Sequence, residues 1–106
     1  MGPENFVLVL TTLPVDRDAD QLARVLVEER LAACVSVLPP MRSTYVWEGA
    51  IENAYEQQIV IKTVGSRLEA LQARVRQLHP YTVPEFLVVA VEGSRDYLAW
   101  LSQSTN

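Results

Sequence analysis

Two hydrophobic periods alternate along the chain. The run Phe6-Val7-Leu8-Val9-Leu10-Thr11-Thr12, closed by Leu13-Pro14, is aliphatic and β-branched throughout and predicts a strand that is apolar on both faces. The period then changes. Asp16, Asp18 and Asp20 supply capping and first-turn carboxylates, and Leu22, Val25, Leu26 and Glu29 to Leu31 continue at three-to-four spacing, which predicts a helix over 17–32. Ala33 to Leu38 reads as a second strand, and Arg42 to Trp47 continues it past Pro39-Pro40, an interruption that requires a bulge or an edge position. Glu48-Gly49 marks a turn, and the return strand runs over 51–63, giving a long, kinked hairpin that extends beyond the body of the domain. Ser66-Arg67-Leu68-Glu69 has the form of a capping box, and Leu68, Leu71, Val75 and Leu78 make one apolar stripe at helical spacing. Pro80 stops that helix at Leu78 or His79. Phe86 to Val91 is a fourth strand, and a short helix from about Ser94 carries Tyr97, Leu98, Trp100 and Leu101.

The order β-α-β-β-α-β-α predicts an α+β fold: a ferredoxin-like split βαβ sandwich with an extended hairpin between the second and third strands and a short C-terminal helix. Strands one and four are apolar on both faces, yet two helices cover only one face of a sheet. The second face is therefore expected to be covered by a partner subunit. The edges of the long hairpin point the same way, because unpaired edges invite strand addition.

Composition narrows the function. The 106 residues fit one domain spanning 1–106, and 49% hydrophobic with 21% charged residues is the balance of a packed protein. Nine basic against thirteen acidic residues, a net charge of -4, would repel phosphate backbones and anionic lipid. Nucleic acid is further excluded by the third strand, Gln57 to Lys62, which lacks the stacking aromatics that RNA-binding sheets of this topology use. No basic leader precedes Phe6 to Leu10, and that run is too short for a signal peptide or a membrane span, so no membrane association and a cytoplasmic location are expected. The single cysteine, Cys34, excludes an intramolecular disulfide and every Cys-x-x-Cys motif.

Catalysis finds no constellation. The loop after the first strand, Thr12 to Asp16, has neither the glycine nor the arginine of an acylphosphatase phosphate cradle. Cys34 lies in an apolar strand start with no motif orienting His79 towards it, so the protein is expected not to be an enzyme. His79, the only histidine, stands in His79-Pro80-Tyr81-Thr82-Val83-Pro84-Glu85, where two prolines fix the backbone around an imidazole, a phenol and a carboxylate. It is either a helix-terminal residue bonded to backbone carbonyls or a metal ligand. One chain offers few soft donors, so a metal held by His79 or Cys34 needs carboxylates such as Glu56 or Glu85, or the same residues from other subunits.

Four segments together resemble the CutA divalent-cation-tolerance family: Arg30-Leu31-Ala32-Ala33-Cys34-Val35, Ser43-Thr44-Tyr45-Val46-Trp47-Glu48-Gly49, Ile61-Lys62-Thr63 and His79 to Glu85, with Tyr97-Leu98-Ala99-Trp100 as a fifth. The resemblance runs from Phe6 to Leu101. It implies a PII-like, cytoplasmic homotrimer and tolerance to divalent cations, Cu2+ above all. It also implies metal binding at cysteine, histidine and acidic positions that here are Cys34, His79 and Glu56, while Glu85 is a candidate from the donor argument alone. Thr82 stands where that family commonly has glutamate, and Ser36 where it commonly has asparagine. Tyr45, Trp47, Gly49, Tyr81 and Pro84 are expected at a cleft or interface between subunits, and Lys62 is expected to pair with Glu56 or with a ligand anion. The alternative function is a PII-like signalling or scaffold trimer whose clefts take a small anionic effector or a partner peptide.

Overall fold

The computed structural model describes residues 5–106. Strand β1 (Phe6–Pro14) leads to helix α1 (Ala19–Glu28), then to strands β2 (Cys34–Trp47) and β3 (Ala50–Val64), helix α2 (Leu68–Leu78), strand β4 (Leu87–Val91) and helix α3 (Arg95–Ser104). The four strands form one antiparallel sheet in the order β2-β3-β1-β4, the ferredoxin-like arrangement expected from the element order. The hairpin of β2 and β3 draws the molecule out to 46 × 25 × 23 Å.

Alternation along the strands assigns the two faces. Val7 and Val9 of β1, Ile59 and Ile61 of β3, and Val35 and Val37 of β2 meet Leu22 and Leu26 of α1 and Leu71 and Val75 of α2, so both of these helices cover one face. The other face carries Leu8 and Leu10, their partners Val60 and Lys62 on β3, and Leu87 and Val89 on β4. Helix α3 meets that face at one end only, where Leu101 packs with Phe6, Ala33 and Val64. Within one chain β1 is therefore fully buried on one side only: Phe6, Leu8 and Leu10 are half-buried. β4 departs further. It is an edge strand with Leu87 55% and Val89 45% exposed, because α3 stops short of it.

Local signals explain most boundaries. Asp18 caps α1 by accepting the Gln21 N–H at 2.9 Å. The helix ends at Glu28, four residues earlier than its apolar spacing predicts. Arg30 adopts a left-handed φ of 59°, and the Leu31 and Arg30 amides donate to the Leu26 and Val27 carbonyls, each at 3.0 Å. These two bonds form a Schellman stop, sealed by buried Leu31 against the same core as Leu26. The chain enters α2 through a 3-10 turn, Gly65–Arg67, whose first amide donates to the Asn5 carbonyl at 2.8 Å. That turn places the helix start at Leu68 with Arg67 in the N-cap position, one residue beyond Ser66, and the Arg67 side chain makes no capping bond.

In the hairpin, Glu48 and Gly49 both have positive φ, 49° and 80°, as a two-residue primed turn requires. The pairing shifts register between Val37 and Pro40, which is the bulge that Pro39-Pro40 calls for.

Arg30 is the strained position with the clearest test. Arg30→Gly removes the Cβ penalty of the left-handed conformation and is expected to stabilise the fold by about 1 kcal/mol, raising Tm by roughly 4–8 °C. Arg30→Val should lower it. Thermal denaturation by circular dichroism at one fixed protein concentration checks both.

Candidate functional site

The hairpin arm and the segment after α2 enclose a cleft of about 730 Å³. Its base is set by β3, where Glu56 and Gln58 project to the face opposite α1 and α2 because their neighbours Ile59 and Ile61 take the core side. β2 pairs with β3 so that Met41 lies across from Glu56, and the next alternate positions, Ser43, Tyr45 and Trp47, extend the same wall along the arm. The opposite wall is Pro80 to Glu85. No lysine or arginine lines the cleft.

His79 fastens that second wall. Its ring is buried, with Nε2 2.5 Å from the Thr12 carbonyl, while Nδ1 accepts the Tyr81 N–H at 3.1 Å. A carbonyl oxygen only accepts, so Nε2 carries the proton and Nδ1 does not. Its partners thus fix a neutral imidazole with both nitrogens occupied. The ring also lies against Tyr81, with centroids 4.8 Å apart. Pro80 excludes further helix, and the extended backbone of His79 (ψ 137°) turns the chain so that this staple to β1 forms.

Glu56 is only 6% exposed, yet it borders the cleft. Its Oε2 accepts from the Thr12 hydroxyl at 3.1 Å and from the Tyr81 hydroxyl at 3.0 Å, whereas its Oε1 accepts no hydrogen bond from the described residues. Glu85 reaches the same base from the loop: the Gln58 side-chain amide donates to its Oε2 at 2.9 Å and to the Thr11 carbonyl at 2.7 Å. Burial first, then the bond to Glu56 and its charge, push the Tyr81 phenol up to about 12.

The residues singled out in the sequence therefore divide. Glu56, Glu85, Tyr45, Trp47, Tyr81 and Pro84 line one cleft, and His79 stands behind it. Gly49 is at the tip of the hairpin, outside the lining. Cys34 pairs in register with Lys62, six residues along β3 from Glu56, a distance of roughly 20 Å at ~3.3 Å per residue. The same geometry corrects the expected Lys62–Glu56 pair, because both residues lie on one strand and too far apart. Lys62 instead donates to the Tyr97 hydroxyl at 3.3 Å, a bond that raises its pKa, with the charges of Tyr97 and Cys34 adding to the effect.

Among the described residues, no three of His, Cys, Asp and Glu converge on a common point, so no closed metal shell exists within one chain. Thr12 and Gln58, which hold the two carboxylates, were missed in the sequence. The available signal was the polar run Glu56-Gln57-Gln58 directly before the apolar Ile59-Val60-Ile61, which puts Glu56 and Gln58 at alternate positions on one face.

Tyr81 gives a pH test. Its stabilising contribution is complete below the ordinary phenol pKa of about 10 and is lost as pH rises through about 12. Glu56→Gln should bring its titration part of the way down, the burial effect remaining, as followed by phenolate absorbance against a Tyr81→Phe control.

Comparison with known proteins agrees with this architecture. A sequence model of the family described as CutA1 divalent ion tolerance protein matches residues 7–104. A divalent-cation tolerance protein CutA of Pectobacterium atrosepticum is 48% identical over 99 residues, covering 92% of this chain and 90% of that relative. The solved divalent cation tolerance protein of Thermus thermophilus superposes with a TM-score of 0.91 at 42% identity, covering 95% of this chain and 99% of that one. A structure described as the PII-like protein CutA of Nostoc gives 0.87 at 34% identity, covering 94% and 97%. With the family pattern spanning nearly every described element, the chain belongs to the CutA1 divalent ion tolerance family.

Proposed function

We propose that the protein is a non-enzymatic homotrimer that binds a divalent cation in clefts completed between subunits, with Glu56 and Glu85 as its own ligands. Glu56 carries this reading. The Glu56 carboxylate is held in place through Oε2 alone, its Oε1 accepts no hydrogen bond from the described residues and stands open to the cleft, and no basic residue of this chain lines the cleft, so a cation there meets a fixed and uncompensated negative charge. The family's description as divalent ion tolerance proteins supports the same class of ligand. His79 serves here as a positioning residue. Its two backbone bonds hold Tyr81 and Glu85 against β3.

The proposed ion is Cu2+, a choice that rests on the family resemblance. The cleft's own donors are chiefly carboxylate, hydroxyl and amide oxygens, with the Met41 thioether the one soft group. A Cu2+ shell with nitrogen or thiolate would take His79 after release from Thr12, or Cys34 of a neighbouring copy. The trimer draws support from the uncovered face: Leu87 and Val89 on the edge of the sheet, with Leu8, Leu10 and Val60 beside them, leave an apolar surface that α3 does not reach.

Two measurements check these statements. Calorimetry should give saturable Cu2+ heats for the wild type, weakened roughly tenfold or more in Glu56→Gln and in Glu85→Gln, in line with losing a charged ligand. Unchanged heats in both variants remove the cleft as the metal site, and parallel titrations with Mn2+ and Mg2+ decide the ion. Size-exclusion chromatography with light scattering should report three chains per particle. A stable monomer overturns the assembly.

A further inference from the structure

The cleft is much larger than a metal ion needs. The part that one chain builds, at about 730 Å³, falls within the range of small-molecule sites and exceeds what a hydrated ion fills. Its walls are also of the wrong kind for a bare ion. Tyr45, Trp47 and Tyr81 contribute three aromatic side chains, and Pro80 and Pro84 supply further apolar surface. At the base stand two carboxylates: Glu56, fixed through Oε2 with Oε1 open to the cleft, and Glu85, held by Gln58. Aromatic faces attract cations through their quadrupoles, and a carboxylate accepts strongly from a charged N–H. This chain contributes no lysine or arginine to the lining, so the charge it places there favours a cation over an anion.

We infer that this cleft takes a small organic cation, a protonated amine carried on an apolar or aromatic body. The ammonium sits at Glu56 and Glu85, and the body lies among Tyr45, Trp47 and Tyr81. This rests on the same acidic cleft as the metal reading but names a different ligand class, for which volume and aromatic walls are the evidence. The two ligands share the carboxylates and therefore exclude each other. The effector of a PII-like role would accordingly be cationic, in contrast to the anionic one expected from the sequence.

The test uses fluorescence. The chain has two tryptophans, so Trp100→Phe leaves Trp47 as the only indole reporter and does not touch the cleft. The probe is phenethylammonium chloride. Saturable quenching or enhancement is expected, roughly tenfold weaker for the uncharged 2-phenylethanol and in Glu56→Gln or Glu85→Gln, as for a lost charge-assisted hydrogen bond. Spermidine, which has charge without an aromatic body, should bind more weakly than phenethylammonium, and added Cu2+ should compete. Binding of 2-phenylethanol or 3-phenylpropionate as tightly as the amine overturns the inference, and so does the absence of any amine effect. If the amine fails while carboxylate-dependent Cu2+ heats persist, only this inference falls. If the amine binds and Cu2+ does not, the metal reading falls instead.

Discussion

Strand β3 is the constraint on which the rest of the molecule depends. It is fifteen residues long and hydrogen-bonded on both sides, to β2 along its length and to β1 over its second half. Ile59 and Ile61 must reach the helices, which fixes Glu56, Gln58 and Val60 on the other face, and a slip of one residue would exchange the two sets. The hydrophobic core thus decides where the carboxylate at the base of the cleft stands. The primed turn at Glu48-Gly49 sets the register of the arm, and with it the alignment of Tyr45 and Trp47 above Glu56.

The second wall is secured by chemistry of a different kind. Between α2 and β4 the segment around residues 79–86 has no ladder of its own, and two prolines limit what its backbone can donate. His79 compensates by bonding a carbonyl on β1 and an amide within the segment, and Tyr81 adds a bond to Glu56. Thr12 takes part twice, through its carbonyl to His79 and its hydroxyl to Glu56. The cleft therefore joins three regions remote in sequence through one residue of the first strand.

Much of the fold was legible from pattern alone. The change from continuous apolar runs to three-to-four spacing separated strands from helices, Pro39-Pro40 located the bulge, and Pro80 located the end of α2. Other features had no signature to read. Arginine does not advertise a left-handed conformation, so the stop at Arg30 was invisible until Leu31 was seen to seal it. β1 and β4 look alike in composition, and only their places in the sheet, internal and edge, make one half-buried and the other exposed. His79 was conspicuous as the lone imidazole, but a backbone carbonyl is a partner that every residue carries, so its bond to Thr12 could not be assigned beforehand. Cys34 and Glu56 were brought together by the family resemblance and not by spacing, and the strand geometry puts them far apart.

The sheet order carries a consequence for synthesis. β1 is the first strand to be made, yet both of its neighbours come later, and its second edge waits for β4, where Phe6 pairs with Val91. The β2-β3 hairpin is local and closes early, whereas β1 keeps its backbone groups unpaired on one side until β4 has emerged. Completion of this sheet therefore waits for β4, and a nascent chain halted before Leu87 would present the apolar strand Phe6–Pro14 with an open edge.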